Sequence, residues 1–164
     1  MESIVKDFAL APSGRDKIEW VKNFMPVMSA IDREFSMSKP LAGKKLAVAL
    51  HIEAKTAYMA EVFKNAGAEV ALTGCNPLST QDDVVAALIE DGVNVCAIHG
   101  CNPTEYENFI DRVLDIEPDI IIDDGGDLVN QIHTKRRELI PNIIGGSEET
   151  TTGVKRLHNM ERRG

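Results

Sequence analysis

The sequence predicts a three-layer α/β/α fold around a mostly parallel five-stranded sheet. From Lys45 onward, short apolar runs rich in β-branched residues alternate with longer segments of helical periodicity. Strands separated by helices form right-handed βαβ units, which place helices on both faces of a parallel sheet. The run 120–122 is three consecutive isoleucines without polar alternation, which is typical of a strand buried on both faces.

Size and composition indicate one globular domain. The 164 residues are enough for a substantial core, and hydrophobic residues make up 43% of the chain against 27% charged. A net charge of −8 argues against broad attraction to nucleic acid or to an anionic membrane. The three cysteines form no CxxC pair, which suits a reducing compartment. We therefore expect a soluble cytoplasmic protein without a signal peptide or a membrane-spanning segment.

An additional N-terminal helix is predicted before the alternating part. Over residues 14–35, apolar side chains recur at three- and four-residue steps, so one face is expected to pack on the core, with Trp20 completing that face. Pro26 lacks the backbone donor that a helix interior needs, and it should kink or split this helix. Residues 38–43 contain a proline and a glycine, which is typical of a connecting turn.

Five strands are expected in the alternating part, over residues 46–50, 69–73, 93–98, 120–122 and 143–144. The helices are expected over residues 56–65 and 80–92, from residue 103 to beyond 113, and over 127–139 and 150–162. Thr80 and Pro103 favour helix starts, and Gly67 favours a helix end. The first strand–helix junction lacks GxGxxG, so a flavodoxin-like sheet with strand order 2-1-3-4-5 is favoured over a nucleotide-binding Rossmann half.

The stretch Asp123-Asp124-Gly125-Gly126-Asp127 is the strongest local signal of function. Two adjacent carboxylates at the end of a buried strand are costly to desolvate and repel each other, so packing explains them poorly. The glycines allow a sharp turn and the close approach of a ligand. Open α/β sheets bind ligands at the carboxyl ends of their strands. A solvated acidic turn that caps the next helix is the alternative, and this stretch alone does not decide between the two.

Polar or small residues follow every predicted strand, in the segments 51–53, 74–76, 99–101, 123–126 and 147–149. If His51, Asp124 and Glu149 lie near one another, they supply the proton donors and acceptors of general acid–base chemistry. Polar loops are also the default at a strand end, and a lone histidine is more often a hydrogen-bonded structural group. Taken together, the five junctions favour a ligand site, because ligands prefer this edge of the sheet.

Thr150, Thr151 and Thr152 place three hydroxyl groups beside the last acidic pair. These hydroxyls suit a hydroxyl-rich or phosphate-bearing ligand, although a helix-capping cluster explains them as well. No pair of histidines or cysteines has the spacing of metal ligands along the chain, so no metal site is predicted.

Five ordered segments resemble a known family: 51–57 (HIEAKTA), 75–82 (CNPLSTQD), 123–128 (DDGGDL), 132–135 (IHTK) and 147–153 (SEETTTG). In order and spacing they resemble adenosylhomocysteinase (S-adenosyl-L-homocysteine hydrolase), and the resemblance extends from about Gly14 to Leu157. It implies NAD-mediated oxidation of the ribose 3′-hydroxyl, elimination of homocysteine, addition of water and reduction of the sugar. The implied substrate is a small nucleoside thioether.

The resemblance also implies roles for individual residues. His51 lies near the 5′ side and assists the departing thiol and the entering water, and Asp124 belongs to the acid–base group around C4′. Glu149 binds the ribose hydroxyls and helps to deprotonate them. The further substrate-binding residues implied are Glu53, Lys55 and Thr56, and the NAD contacts implied are Thr150, Thr151 and Thr152.

Two departures from the family pattern affect the expected function. Many members carry threonine where Glu53 stands and glutamate where Lys55 stands, in the part that faces the purine. A lysine can only donate hydrogen bonds, so Lys55 suits a 6-oxo purine and favours S-inosyl-L-homocysteine as an alternative substrate. The sequence also ends at Gly164, before the NAD-binding Rossmann domain that the family carries. We therefore expect residues 1–164 to form the substrate-binding domain and to be inactive alone.

Two non-catalytic alternatives remain open from the residues themselves. A flavodoxin-like signalling receiver or small-ligand module also has acidic strand ends, although a receiver needs a lysine at its fifth strand, and the predicted strand 143–144 has none. A purely structural domain would show only an exposed acidic rim. For the full-length family the resemblance implies a homo-oligomer, with no nucleic-acid or membrane partner.

Overall fold

A computed structural model describes residues 1–163. All five strands are parallel: β1 (Lys45–Leu50), β2 (Glu69–Gly74), β3 (Asn94–Cys96), β4 (Ile120–Asp123) and β5 (Gly145–Glu148). The helices are α1 (Ala11–Lys22), α2 (Pro26–Ser38), α3 (Ala54–Asn65), α4 (Asp82–Glu90), α5 (Pro103–Val113), α6 (Asp127–Lys135) and α7 (Thr151–Glu161). Short 3-10 turns cover Phe8–Leu10, Leu114–Ile116 and Arg137–Asn142. None of these helices has the length and apolar character needed to cross a membrane.

Two hydrophobic clusters confirm the predicted three layers. Strand β1 alternates between them, because successive side chains of a strand point to opposite faces of the sheet. Leu46 and Val48 join the cluster formed with α1, α3 and α4. Ala47 and Ala49 join the cluster formed with α5 and α6. The central strand β1 is therefore buried on both faces. The predicted isoleucine run of β4 also lies between the two clusters, with Ile121 in one and Ile120 and Ile122 packed against the other.

The predicted strand order is wrong. The observed order is β3-β2-β1-β4-β5, and β3 pairs with β2 instead of lying between β1 and β4. The absence of GxGxxG indicates only that the first strand–helix junction lacks a glycine-rich phosphate-binding loop. It does not indicate which edge of β1 the third strand joins. The order is set by pairing: β2 and β4 occupy the two edges of β1. The direction of winding consequently reverses between β1 and β4.

The N-terminal helix is split as predicted, but the prediction that Trp20 packs on the core is wrong. Helix α1 ends at Lys22, and α2 begins with Pro26 as its first residue. Trp20 and Phe24, both expected in the core face, are each 64% exposed and stack on each other with ring centroids 4.5 Å apart. The apolar repeat runs around more of the helix than the core covers, so periodicity alone overestimates the buried face.

Several further boundaries differ from the prediction. Strand β3 covers only Asn94–Cys96 of the predicted 93–98, and α6 ends at Lys135 instead of residue 139. Gln81, not Thr80, occupies the N-cap position of α4, and the buried Thr80 hydroxyl instead donates to the Asn76 carbonyl at 3.4 Å. Strand β5 begins after Ile144, which is 67% exposed. Backbone pairing of Gly145 with Ile120 fixes this edge strand, and its side chains bury too little to leave an apolar pattern.

Candidate active site

The reversal between β1 and β4 creates the crevice in which the candidate site lies. In open α/β sheets, such a switch point separates the loops that follow two adjacent strands and leaves room for a ligand. Ala49 of β1 pairs with Asp123 of β4, so the residues that follow them leave the sheet side by side. His51 stands just after β1 and Asp124 just after β4. Pairing of the two strands therefore brings these predicted site residues together.

His51 and Asp124 meet with a third residue, Cys75, which follows β2. The Nε2 atom of His51 lies 3.3 Å from Oδ2 of Asp124. The Cys75 thiol donates to the same oxygen at 3.3 Å. Burial, together with the hydrogen bond to Asp124 and its negative charge, raises the pKa of the Cys75 thiol. At neutral pH this thiol is a neutral hydrogen-bond donor that helps to hold the carboxylate in place.

The second ring nitrogen of His51 is also held. Its Nδ1 atom lies 2.6 Å from the Ser79 hydroxyl oxygen. That hydroxyl also lies within donating distance, 3.0 Å, of the Asn76 carbonyl. A histidine fixed at both nitrogens keeps one ring orientation, which is what a proton-transfer group needs. The imidazole is nevertheless half exposed, so a ligand in the crevice can reach it.

The loop after β4 is braced from behind by α5 and α7. The Tyr106 hydroxyl lies 2.7 Å from Oδ2 of Asp127, and burial followed by this hydrogen bond raises the pKa of the tyrosine. Arg156 donates to Oδ1 of Asp127 at 2.5 Å and to the Gly125 carbonyl at 2.8 Å. Gly125 and Gly126 have φ values of 103° and 75°, which favour glycine, so the two glycines permit the turn that these contacts hold.

The first carboxylate of each acidic pair serves the protein itself. Asp123 is 1% exposed and accepts the N–H groups of Asp124 and Val129, both at 3.1 Å. Burial, reinforced by Glu148 and Asp127, raises the pKa of Asp123 to about 6. Glu148 accepts the Gly125 N–H at 2.8 Å and both the N–H and hydroxyl of Thr150 at 2.9 Å. These two carboxylates hold the loops that follow β4 and β5.

The second carboxylate of the last pair, Glu149, lines a cleft of about 380 Å³ beside the crevice. The other predicted substrate-binding residues, Glu53, Lys55 and Thr56, line the same cleft. Its apolar wall is made by Met25, Met28, Leu50, Met59 and Ile122. Methionine side chains are flexible and polarizable, and they pack well against a flat ring. The cleft therefore offers an apolar surface at one side and hydrogen-bonding groups at the other.

Comparison with known proteins decides the family. The family model described as S-adenosyl-L-homocysteine hydrolase matches residues 2–139. The chain belongs to this family. It is 53% identical over 163 residues to the S-inosyl-L-homocysteine hydrolase of Methanopyrus kandleri, covering 99% of this chain and 38% of the relative. It is 55% identical over 158 residues to the adenosylhomocysteinase of Pyrococcus abyssi, covering 96% and 37%. The chain thus spans well under half the length of these curated relatives.

Of the three threonines expected to contact NAD, one is already hydrogen-bonded within the protein and two are exposed. Thr150 is the N-cap of α7: its hydroxyl accepts the Gly153 N–H at 2.9 Å and donates to Glu148 at the same distance. Thr151 and Thr152 are exposed in the first turn of α7. Two exposed hydroxyls at a helix N-terminus fit one polar edge of a dinucleotide. They do not form a complete dinucleotide cradle.

Glu53 and Lys55, the two residues expected to face the purine of the substrate, differ from each other in how freely their side chains can move. Glu53 is the N-cap of α3 and accepts the Thr56 N–H at 3.2 Å. The Lys55 side chain is 64% exposed, and its ammonium lies 4.0 Å from the Glu53 carboxylate. Both residues also line a neighbouring cavity of about 690 Å³ that contains Trp20 and Phe24. Lys55 is therefore free to turn its ammonium toward a ligand, whereas Glu53 is partly occupied by its own helix.

Sequence reasoning missed Cys75 and Ser79. Cys75 lies in the predicted strand-end segment 74–76, but the sequence around it contains no partner that would indicate a functional role. Its neighbours His51 and Asp124 follow β1 and β4, and the predicted order wrongly separated these two strands by β3. The prediction of no metal site used the same sequence spacing, whereas one ligand atom each from His51, Cys75 and Asp124 lies within 4.8 Å of the other two.

Proposed function

We propose that this chain is the substrate-binding part of a hydrolase that releases homocysteine from a nucleoside thioether. The observation that carries the proposal is the contact between His51 and Asp124 at the switch point of the sheet, beside the cleft that contains Glu149. The similarity to the adenosylhomocysteinase of Pyrococcus abyssi and the S-inosyl-L-homocysteine hydrolase of Methanopyrus kandleri supports the reaction type. A signalling receiver is less well supported, since it carries a lysine at its fifth strand and β5 contains none.

Oxidation of the ribose requires a hydride acceptor, and NAD, when bound, supplies it at C3′. The ketone makes the proton on C4′ acidic, so the remaining chemistry is proton transfer by side chains of this chain. Glu149 accepts hydrogen bonds from the ribose hydroxyls and takes the proton of the 3′-hydroxyl as it is oxidised. Asp124 acts near C4′, where the Cys75 thiol and the imidazole of His51 hold its carboxylate.

His51 acts at the 5′ carbon. As an imidazolium it protonates the departing homocysteine sulfur, and as a neutral imidazole it then takes a proton from the water that adds. The contact of Nδ1 with Ser79 leaves Nε2 directed toward Asp124 and the crevice. An imidazole can both donate and accept a proton, so one side chain can serve both steps.

A second candidate substrate, S-inosyl-L-homocysteine, is favoured by Lys55. Its exposed ammonium lines the cleft and donates hydrogen bonds only. A 6-oxo purine offers an acceptor at the position where adenine offers an amino group. The S-inosyl-L-homocysteine hydrolases of Methanopyrus kandleri and Methanosarcina mazei, 53% and 55% identical to this chain, support this substrate class.

The test is calorimetric titration of the chain with each of the two thioethers. We expect both to bind, the inosyl compound more tightly, and Lys55→Glu to reverse the preference. Lys44→Glu, at the opposite end of β1, is the matched charge control. Glu149→Gln should weaken both ligands, with Glu69→Gln, at the start of β2, as its control. Absence of binding by either thioether would refute the substrate-binding role, and equal affinities unaffected by Lys55→Glu would refute the purine preference.

The chain alone should not turn over either thioether. Residues 1–163 offer NAD one pair of exposed threonine hydroxyls, so the oxidation step lacks a held hydride acceptor. Incubation with each thioether and added NAD, followed by a thiol assay for homocysteine, measures this directly. Release of substrate-dependent thiol would show that the oxidation proceeds without the remaining length found in the relatives.

A further inference from the structure

We propose that His51, Cys75 and Asp124 form a binding site for a thiophilic divalent cation of the Zn²⁺ class. The three residues follow β1, β2 and β4, which are neighbours in the sheet, so backbone pairing fixes where each one starts. One ligand atom from each residue lies within 4.8 Å of the other two. The assignment uses only the positions of these atoms, so it stands independently of the proposed hydrolase function.

Two of the three distances between the ligand atoms fit the edges of a tetrahedral ion site. Zn²⁺ bonds of about 2.0–2.3 Å to nitrogen, oxygen and sulfur imply tetrahedral edges of about 3.4 Å for N···O and about 3.6 Å for S···O. The observed distances are 3.3 Å from His51 Nε2 to Asp124 Oδ2 and 3.3 Å from Cys75 Sγ to the same oxygen. The third edge, from His51 Nε2 to Cys75 Sγ, lies within 4.8 Å and would shorten toward about 3.5 Å as the atoms close around an ion.

The ligand set selects the kind of ion. Thiolate and imidazole ligands favour Zn²⁺ and similar borderline or soft cations, whereas Mg²⁺ and Ca²⁺ prefer oxygen ligands. On binding, the Cys75 S–H bond breaks, the proton leaves to solvent and the thiolate coordinates the ion. Three protein ligands leave a fourth position open, and the half-exposed imidazole places that position toward the crevice.

Supporting contacts around the ligands resemble those that orient metal ligands in proteins. The Ser79 hydroxyl lies 2.6 Å from Nδ1 of His51, which holds the ring with Nε2 toward the other two ligands. The backbone N–H of Cys75 donates to the Leu50 carbonyl at 3.1 Å, which fixes the start of its loop. Such outer contacts commonly change metal affinity by about 10–100-fold when removed. A bound ion would also occupy the groups proposed to transfer protons; this consequence, unlike the site itself, rests on the proposed function.

The test uses Co²⁺ as a spectroscopic substitute and Zn²⁺ as its competitor on the whole 164-residue chain. We expect one Co²⁺ per chain, a thiolate-to-cobalt charge-transfer band, and loss of that band when one equivalent of Zn²⁺ is added. Cys75→Ser should abolish the band, and His51→Gln should weaken Zn²⁺ binding by at least about tenfold. Cys101→Ser and His158→Gln are the matched controls and should change neither property.

Three results would overturn the proposal. They are the absence of a thiolate band in the wild-type chain, a band that persists in Cys75→Ser, and a band that depends on Cys101. Circular dichroism of each variant checks that the fold is retained. If Cys75→Ser fails to fold, protection of the wild-type Cys75 thiol from alkylation by one equivalent of Zn²⁺, read by peptide mass spectrometry, decides the question: equal alkylation with and without Zn²⁺ refutes the site.

Discussion

The two acidic pairs, at the ends of β4 and β5, divide their carboxylates in the same way. Asp123 and Glu148 are partners in the sheet register, and each accepts hydrogen bonds from backbone N–H groups of the loops. Asp124 instead meets His51 and Cys75, and Glu149 lines the cleft. Successive residues of a strand point in opposite directions, so one carboxylate of each pair supports the loops while its neighbour faces the ligand crevice.

The largest expected effect concerns the buried carboxylate Asp123. Its pKa of about 6 in the folded chain exceeds the ordinary value of 3.8, so its contribution to stability is full below about pH 4 and is lost as the pH rises through 6. Asp123→Asn removes this titration. The free energy of unfolding of the wild type should therefore fall by about 3 kcal/mol relative to that of the variant as the pH rises from 4 to 7.

Urea unfolding followed by circular dichroism at pH 4, 5, 6 and 7 measures this gain. Wild type and Asp123→Asn should diverge mainly between pH 4 and pH 6. Parallel profiles would mean that Asp123 is not the desolvated member of its pair, and the division between supporting and crevice-facing carboxylates would fail at β4.

The next largest effect separates Glu148 from Glu149. Removing the Glu148 carboxylate leaves the Gly125 and Thr150 donors without their acceptor, and Glu148→Ala should lower the free energy of unfolding by about 2–3 kcal/mol. Glu149→Gln, which alters only the cleft, should change it by less than about 0.5 kcal/mol. Urea unfolding at pH 7 measures both. Equal losses in the two variants would contradict separate roles for these neighbours.

The smallest expected effect tests the same division among the threonines. Thr150 is bonded to Glu148 and to the Gly153 N–H, whereas Thr151 is exposed. Thr150→Ala should destabilise the chain by about 1 kcal/mol through loss of the helix cap. Thr151→Ala should stay within about 0.5 kcal/mol of the wild type. Thermal unfolding at pH 7 compares the pair, and a larger loss in Thr151→Ala would reverse the assignment of supporting and exposed hydroxyls.

Much of the candidate site could be anticipated because strand ends share one edge of a parallel sheet. That argument brought His51 and Asp124 together without any knowledge of strand order, because it needs only that both residues follow strands. It failed for Cys75, whose partner Asp124 follows β4, because the predicted order placed β3 and not β4 beside β1. It also missed the exposure of Trp20, since periodicity identifies an apolar face but not how much of that face another element covers.

By itself, the sequence determined the number and type of the layers, the split at Pro26 and the motifs that place the chain in its family. These follow from local properties: apolar periodicity, backbone restrictions and the order of short segments. The tertiary structure alone decided the strand order, the direction of each carboxylate and the meeting of His51, Cys75 and Asp124. Those depend on hydrogen bonds between strands far apart along the chain, and no local pattern of residues encodes which strands will pair.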